Sequence, residues 1–201
     1  MITAPALRPA RPTEARALSL VLGRAFVDDP VYHFLLGHPS AGAVARALGP
    51  IVRSCARRGS VTVAADLANV GGVAVWAPWG TWGTSGHAAG PIVVSALRGC
   101  IRNPFIRLVW SHAAARRHPV EPHRYLVVIG VDPRLRGRGI GTQIIQAGLV
   151  GCDARGIGAY TEAHDPEAVR FLGKFGFSVA AEGPLVDGAP NTWSLWRPPR
   201  R

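Results

Sequence analysis

The stretch Leu126-Val127-Val128-Ile129-Gly130-Val131-Asp132-Pro133-Arg134-Leu135-Arg136-Gly137-Arg138-Gly139-Ile140-Gly141 decides how this chain is read. Its first six residues sit in an almost wholly apolar run, Arg124 to Val131, which is the pattern of a central strand covered on both faces. Asp132-Pro133 ends the strand, and a helical pattern follows from Gly139 to Arg155 with Gly156 as its stop. A glycine-rich turn opening a helix directly after a strand gathers unpaired backbone N–H groups and the positive end of the helix dipole at one point. Such a point binds phosphate. Glycines at 137, 139 and 141 let the backbone approach an anion, and Arg136 and Arg138 add charge.

Two common phosphate loops do not fit. The P-loop ends in Gly-Lys-Ser/Thr, and the turn holds no lysine. The dinucleotide fingerprint requires Gly-x-Gly-x-x-Gly, whereas the spacing here is Gly137-x-Gly139-x-Gly141. Arg136-x-x-Gly139-x-Gly141, preceded by Gly130-Val131-Asp132-Pro133, instead resembles the acyl-CoA signature of the GCN5-related N-acetyltransferase (GNAT) superfamily. Downstream, Asp165-Pro166-Glu167-Ala168-Val169-Arg170-Phe171-Leu172-Gly173-Lys174-Phe175-Gly176-Phe177 is similar to the second signature of that superfamily, a helix running into Gly-Phe and a strand. His123-Arg124-Tyr125-Leu126, leading into the central strand, also looks like one of its branches. The motif support spans residues 123–178.

The resemblance implies a single α/β domain whose mixed, strongly twisted β-sheet splays open beside its fourth strand and is flanked by helices. It implies acetyl-CoA as co-substrate and no metal. The backbone of Ile129, Gly130 and Val131 would pair with the pantetheine arm, and the N–H groups of Gly137, Arg138, Gly139, Ile140, Gly141 and Thr142, with Arg136, would hold the pyrophosphate. Two departures stand out. Leu172 occupies the place where the superfamily usually carries a tyrosine that protonates the departing thiolate, and Asp165 replaces an asparagine that often contacts the cofactor. An alkyl side chain transfers no proton, so another acid, water, or binding without turnover remains open.

Working outward, 201 residues suit one domain. The expected division is a Pro/Arg-rich segment over residues 1–12 and an acyltransferase domain over residues 13–201. With 48% hydrophobic and 17% charged residues the chain can bury a core. No apolar run approaches the roughly 20 residues of a membrane-spanning helix, and the first residues lack a secretory pattern, so a cytoplasmic protein with no membrane partner is expected. Three cysteines without close spacing give neither a disulfide framework nor a zinc site. The net charge is +11, but all but one of the 23 basic residues are arginine. That bias points to genome composition, and the scattered arginines are not interleaved with aromatics as a strand-binding groove requires, which disfavours nucleic acid.

Helices are expected at residues 14–26, capped by Thr13, at 31–36, and at 41–58 ending on Gly59. Ser60–Ala65 and Val70–Pro78 read as a hairpin, residues 77–90 as loop, and 91–118 as one or two helices. A strand at 159–163, a helix at 166–175 and a hairpin of 177–182 with 192–196 complete the chain.

The expected activity is acetyl transfer to the primary amine of a small molecule, by a monomer or homodimer; protein N-acetylation and a silent acyl-CoA-binding module are the alternatives. Glu162, on the strand facing the acceptor, is the candidate general base or else a strand-end carboxylate. Tyr160 shares its face by period-two alternation, as acid or as core. Asp28 and Asp29, at the first interhelical turn, either bind a cationic amine or end one helix and cap the next. His112 and His164 read as surface or loop residues with a catalytic role as the alternative, and Trp76, Trp79 and Trp82 as pocket wall or core.

Overall fold

Among the described residues, apolar side chains on the inner strands give the sheet two greasy faces, each covered by helices. The computed structural model describes residues 6–65, 70–77 and 112–200. In chain order the elements are β1 (Ala6–Pro9), α1 (Ala15–Ala25), α2 (Pro30–Leu36), α3 (Ala41–Arg57), β2 (Val61–Ala65), β3 (Val70–Ala77), β4 (His123–Val131), α4 (Ile140–Asp153), β5 (Gly158–Ala163), α5 (Pro166–Gly173), β6 (Ser178–Pro184) and β7 (Asn191–Arg197). The seven strands form one mixed sheet in the order β1-β2-β3-β4-β5-β7-β6, antiparallel except for the parallel β4–β5 pair. Among the described residues no helix is long and apolar enough to cross a membrane.

One face carries Val61, Val63, Val73, Val75, Tyr125, Val128 and Tyr160 against Leu18, Leu22, Val44, Leu48 and Val52 of α1 and α3. The other carries Ala64, Ala74, Trp76, Leu126, Ala159 and Leu195 against Ile144, Ile145 and Leu149 of α4 and Leu172 of α5. Trp76 is therefore a core residue, fully buried, with the Arg124 guanidinium 4.9 Å from its ring centre. α4 lies so close to this indole that a Cβ at Gly148 would overlap the ring. Arg197, itself buried, forks onto both oxygens of Asp153 at 2.7 and 2.8 Å and ties β7 to the end of α4. Cys55 and Cys152 are buried free thiols.

The expected elements from residue 14 to 65 and from 123 to 197 are present, with three local differences. Thr13 does not cap α1; Pro12–Glu14 forms a 3-10 turn instead, because the Glu14 carboxylate reaches back to the Arg11 N–H at 2.7 Å and to the Arg8 guanidinium. Ala6–Pro9, inside the stretch expected only as a lead-in, pairs with β2 as an edge strand. β4 also departs from strict alternation: Val75 pairs with Val128 and Trp76 with Leu126, which leaves Val127 as a bulge. The loop and helices expected over 77–111, with Trp79, Trp82 and Cys100, lie outside the described residues, apart from Ala77, which ends β3; residues 112–117 are helical.

Replacing Gly148 by alanine is expected to cost about 1–3 kcal/mol, since even one methyl must displace the indole or the helix. Urea denaturation that gives an unchanged midpoint for Gly148→Ala would contradict the close approach of α4 to Trp76.

Candidate functional site

β4 and β5 begin as a regular parallel pair, with His123, Arg124, Tyr125 and Leu126 opposite Gly158, Ala159, Tyr160 and Thr161. There the pairing ends. The Thr161 hydroxyl donates to the Leu126 carbonyl at 2.8 Å, and the bulge at Val127 turns β4 away, so among the described residues Val127–Val131 have no partner on the β5 side. Ile129, Gly130 and Val131, expected to meet a cofactor through their backbone, thus lie on a strand edge left open by the fold. A Cβ on Gly130 would press Leu22 and Ala25 of α1 and Phe26 just after it at 3.0–3.1 Å, so a glycine keeps the helix close to this edge.

The turn after β4 is held by one buried carboxylate. Asp132 is only 2% exposed and accepts from the Arg134 N–H and guanidinium at 3.0–3.1 Å and from the Arg24 guanidinium at 2.7–3.0 Å. These bonds, Arg134 foremost, hold its carboxyl well below the usual range. From this anchor the chain runs through exposed Arg136, Gly137, Arg138 and Gly139 into α4. Gly137 and Gly139 have φ of 76° and 75°, the left-handed region that favours glycine, and no atom lies within 4 Å of where their Cβ would be. Gly139 is the N-cap of α4 and offers no side-chain cap, so the first-turn amides of Ile140, Gly141 and Thr142 face outward without an intrahelical acceptor. The Ile140 side chain is in the core, which leaves its backbone alone for an anion. Arg136 donates to the Ala25 carbonyl at 3.1 Å, and Asp165 caps α5 by accepting from the Ala168 N–H at 2.8 Å.

Beyond the splay, on the face of α1 to α3, a second group of residues converges. Glu162 accepts from the Tyr125 hydroxyl at 3.1 Å and the Tyr160 hydroxyl at 3.2 Å, one on each carboxylate oxygen. Burial pushes the Glu162 carboxyl up, against the pull of His164 and the two hydroxyls. Tyr160 is wholly buried, with Ser194 also within 3.2 Å of its hydroxyl. Burial first, and Glu162 next, raise both phenols far enough to keep them protonated. His118 backs the tyrosines with ring centres at 4.7 and 4.5 Å, and burial next to His123 lowers its imidazole to about 4.

Asp29 comes to the same place. Its carboxylate, 6% exposed, caps α2 through the Val31 and Tyr32 N–H groups and meets Nδ1 of His164 at 2.9 Å. Asp28 beside it is exposed, as is His112. Of the acceptor-side candidates, the fold joins Tyr160, Glu162, Asp29 and His164. The sequence pattern missed Tyr125 and His118; Tyr125 becomes visible only once the parallel register sets it beside Tyr160. Leu172, at the position of the expected acid, is buried in the core.

Residues 70–177 match the model of the acetyltransferase (GNAT) family. The chain belongs to this family. A stretch of 74 residues, 35% of the chain, is 38% identical to mycothiol acetyltransferase of Nocardia farcinica, and the match spans only 24% of that protein. The fold is similar to a structure described as histone acetyltransferase HPA2 and related acetyltransferase from Corynebacterium glutamicum, with TM-score 0.71 and 22% identity over 99% of this chain and 98% of that one. It is also similar to polyamine N-acetyltransferase of Drosophila melanogaster, with TM-score 0.67 and 13% identity over 96% and 99% of the two chains. The GNAT fold is thus present, with the open strand edge and the glycine turn where the motifs lie. A separate groove of about 710 Å³ between α1 and α3, rimmed by Arg16, Arg46, Arg53 and Arg57, contains none of the motif residues.

Asp132→Asn is expected to lower stability at neutral pH by about 1–3 kcal/mol, since it removes the charge from a buried, multiply bonded group. The folded carboxyl titrates below the unfolded value of about 3.9, so its contribution is complete above that pH and fades as acid protonates the folded form. The gap between wild type and variant in chemical denaturation should therefore narrow below about pH 4. A gap independent of pH would deny Asp132 this role.

Proposed function

We propose that this protein transfers an acetyl group from acetyl-CoA to the primary amine of a small molecule by direct attack. The observation that carries it is the open edge of β4, flanked on one side by a glycine turn with unused amides and on the other by a buried carboxylate. The residues fit the co-substrate: Ile129, Gly130 and Val131 offer backbone along the open edge, and the space above Gly137 and Gly139 admits a phosphate against the amides of Gly139 to Thr142. Acetyl-CoA would supply the activated acyl group as a thioester. Support for a small amine comes from relatives such as the Drosophila polyamine enzyme and an agmatine N-acetyltransferase of like fold.

An alkylamine is mostly protonated at neutral pH and must lose a proton before it attacks. Glu162 is the carboxylate at the splay, and burial gives it the raised basicity that proton removal requires. Tyr125 and Tyr160 hold it by one oxygen each, which fixes its plane and leaves further lone pairs for the amine. Asp29 serves the acceptor side through His164, and exposed Asp28 remains available to a second cationic group of the acceptor. Leu172 favours a second reading, a module that binds CoA without turnover, because no phenol stands there to protonate a thiolate. Turnover with any amine would exclude it.

Gly139→Val should abolish CoA binding in a folded protein, through a side chain at the phosphate position and a strained φ. Unchanged affinity by calorimetry would remove the basis of the proposal. Glu162→Gln should lower kcat/KM about 100-fold while CoA affinity stays within a few-fold, and the loss should shrink at high pH where free amine is abundant. A wild-type pH–rate profile in that variant would reduce Glu162 to a structural carboxylate.

A further inference from the structure

Gly23 of α1 lies against Ala41 and Ala45, and Gly49 of α3 lies across from Ser19, so the two helices run antiparallel. At Gly23 the contact is tight, since a Cβ there would overlap the Ala41 carbonyl. The groove of about 710 Å³ along this seam is lined at its floor by small residues, among them Ser19, Gly42, Ala45 and Gly49. Its two glycines are not demanded by packing within the described chain. Beyond the backbone of α3 itself, a Cβ at Gly49 would meet only the Ser19 Oγ at 3.8 Å, and one at Gly42 only the Arg46 guanidinium and Ser40 Oγ at 3.6–3.8 Å. Glycine weakens a helix relative to alanine, and here that weakening leaves open space along the groove.

The rim is charged with one sign. Arg46, Arg53 and Arg57 follow one another along α3 at steps of seven and four, which keeps them on one side of the helix and spreads them over about 16 Å. Arg16 adds a fourth guanidinium from α1, and Leu20, 40% exposed, lies one turn further on. Elsewhere Arg8, Arg24, Arg134 and Arg197 each meet a carboxylate. Among the described residues none of the four groove arginines forms an ion pair or hydrogen bond, and no acidic side chain lines the groove. Glu14, two residues before Arg16, is taken by the Arg8 guanidinium and the Arg11 N–H. Arg53 and Arg57, four apart on a helix, repel each other, and an anion between them would relieve that repulsion.

We propose that this groove docks an acidic amphipathic helix of a partner protein, with its carboxylates on the four arginines and its small apolar side chains over Gly42 and Gly49. A helix laid along α3 shares its period, so acids at steps of seven and four meet Arg46, Arg53 and Arg57 in turn. A floor of small residues brings the partner axis to about 8 Å, the near end of helix packing distances. Charge argues against other occupants. A second copy of this chain brings a net +11 to a basic surface, and residues 78–111 hold three arginines and no Asp or Glu. The lining offers a nucleic-acid strand no aromatic to stack on, and offers a lipid surface one exposed leucine. None of the motif residues lines the groove, so the docking is independent of the acetyl-transfer reading and leaves the open edge of β4 free.

The test uses the full-length protein and a fluorescein-labelled, alanine-rich peptide of about 20 residues, long enough to be helical, with a leucine stripe flanked by glutamates at the arginine spacing. Its affinity is read by fluorescence anisotropy. The peptide is expected to bind, to bind more weakly as salt screens the charges, and to lose binding when every glutamate is replaced by glutamine. Removing two rim charges together, Arg46→Ala with Arg53→Ala, should weaken binding about tenfold. Gly49→Leu changes no charge but fills the groove, and should weaken binding by a similar factor while urea denaturation shows a fold at least as stable, because a helix former replaces glycine. Removing two exposed charges far from the groove, Arg155→Ala with Arg170→Ala, should leave affinity within about twofold, and CoA affinity should stay unchanged in all three variants. Equal losses in the two arginine pairs would mean diffuse attraction to a basic protein and would overturn the proposal, as would no binding by the wild type or full affinity in Gly49→Leu. Single-stranded oligonucleotides and phosphatidylglycerol vesicles serve as rival ligands; tighter binding of either one, lost with Arg46 and Arg53, would overturn the assignment of a helix.

Discussion

Everything in this molecule that bears on chemistry depends on where one β-ladder stops. A parallel pair satisfies its backbone groups by continuing, and here it continues for four residue pairs only. The Thr161 hydroxyl takes the last carbonyl, and the bulge at Val127 swings the rest of β4 aside. An interrupted ladder leaves polar groups that need partners, a cost that a folded chain normally avoids. Here the open segment lies between a helix N-terminus with unused amides and a buried carboxylate, so the defect is placed rather than scattered.

The surrounding packing serves to hold that gap steady. On one side, glycine at 130 lets α1 close on β4, and Arg24 from the same helix reaches the buried Asp132 that anchors the glycine turn. On the other, Asp29 at the end of the α1–α2 connection grips His164 just beyond β5. The two margins of the cleft are therefore referenced to a single short region, residues 24–29, although they belong to segments more than a hundred residues later in the chain. Phe26 and Tyr32, with ring centres 5.9 Å apart, fill the space between the helices of that region.

Much of this was legible in the sequence, and the limits have physical causes. The apolar run into Asp132-Pro133 and the glycine spacing located the strand, turn and helix, because local dihedral needs are written in local residues. Tyr160 and Glu162 were placed on one face by alternation alone. Tyr125 was not, because its neighbours across the sheet depend on a parallel register, and register is a long-range property. The bulge also hides the face of the residues after it: Tyr125 and Val128 share a core although they are three apart, which no strict period of two allows. Asp29 read either as an amine-binding carboxylate or as a cap, and it does cap α2; its grip on His164 had no local signal, since the partner lies 135 residues on.

The two outermost strands carry a further consequence. β1 is four residues long and ends in Pro9, while its Arg8 is turned onto Glu14. β6 is bulged at Ala180, bends through Gly183 at a φ of 129°, and ends in Pro184, with Glu182 engaged by Asn191. Prolines have no N–H to lend, and a bent, charged margin offers a poor template for another sheet. Among the described residues, both flanks of the sheet thus resist open-ended stacking of copies into fibres.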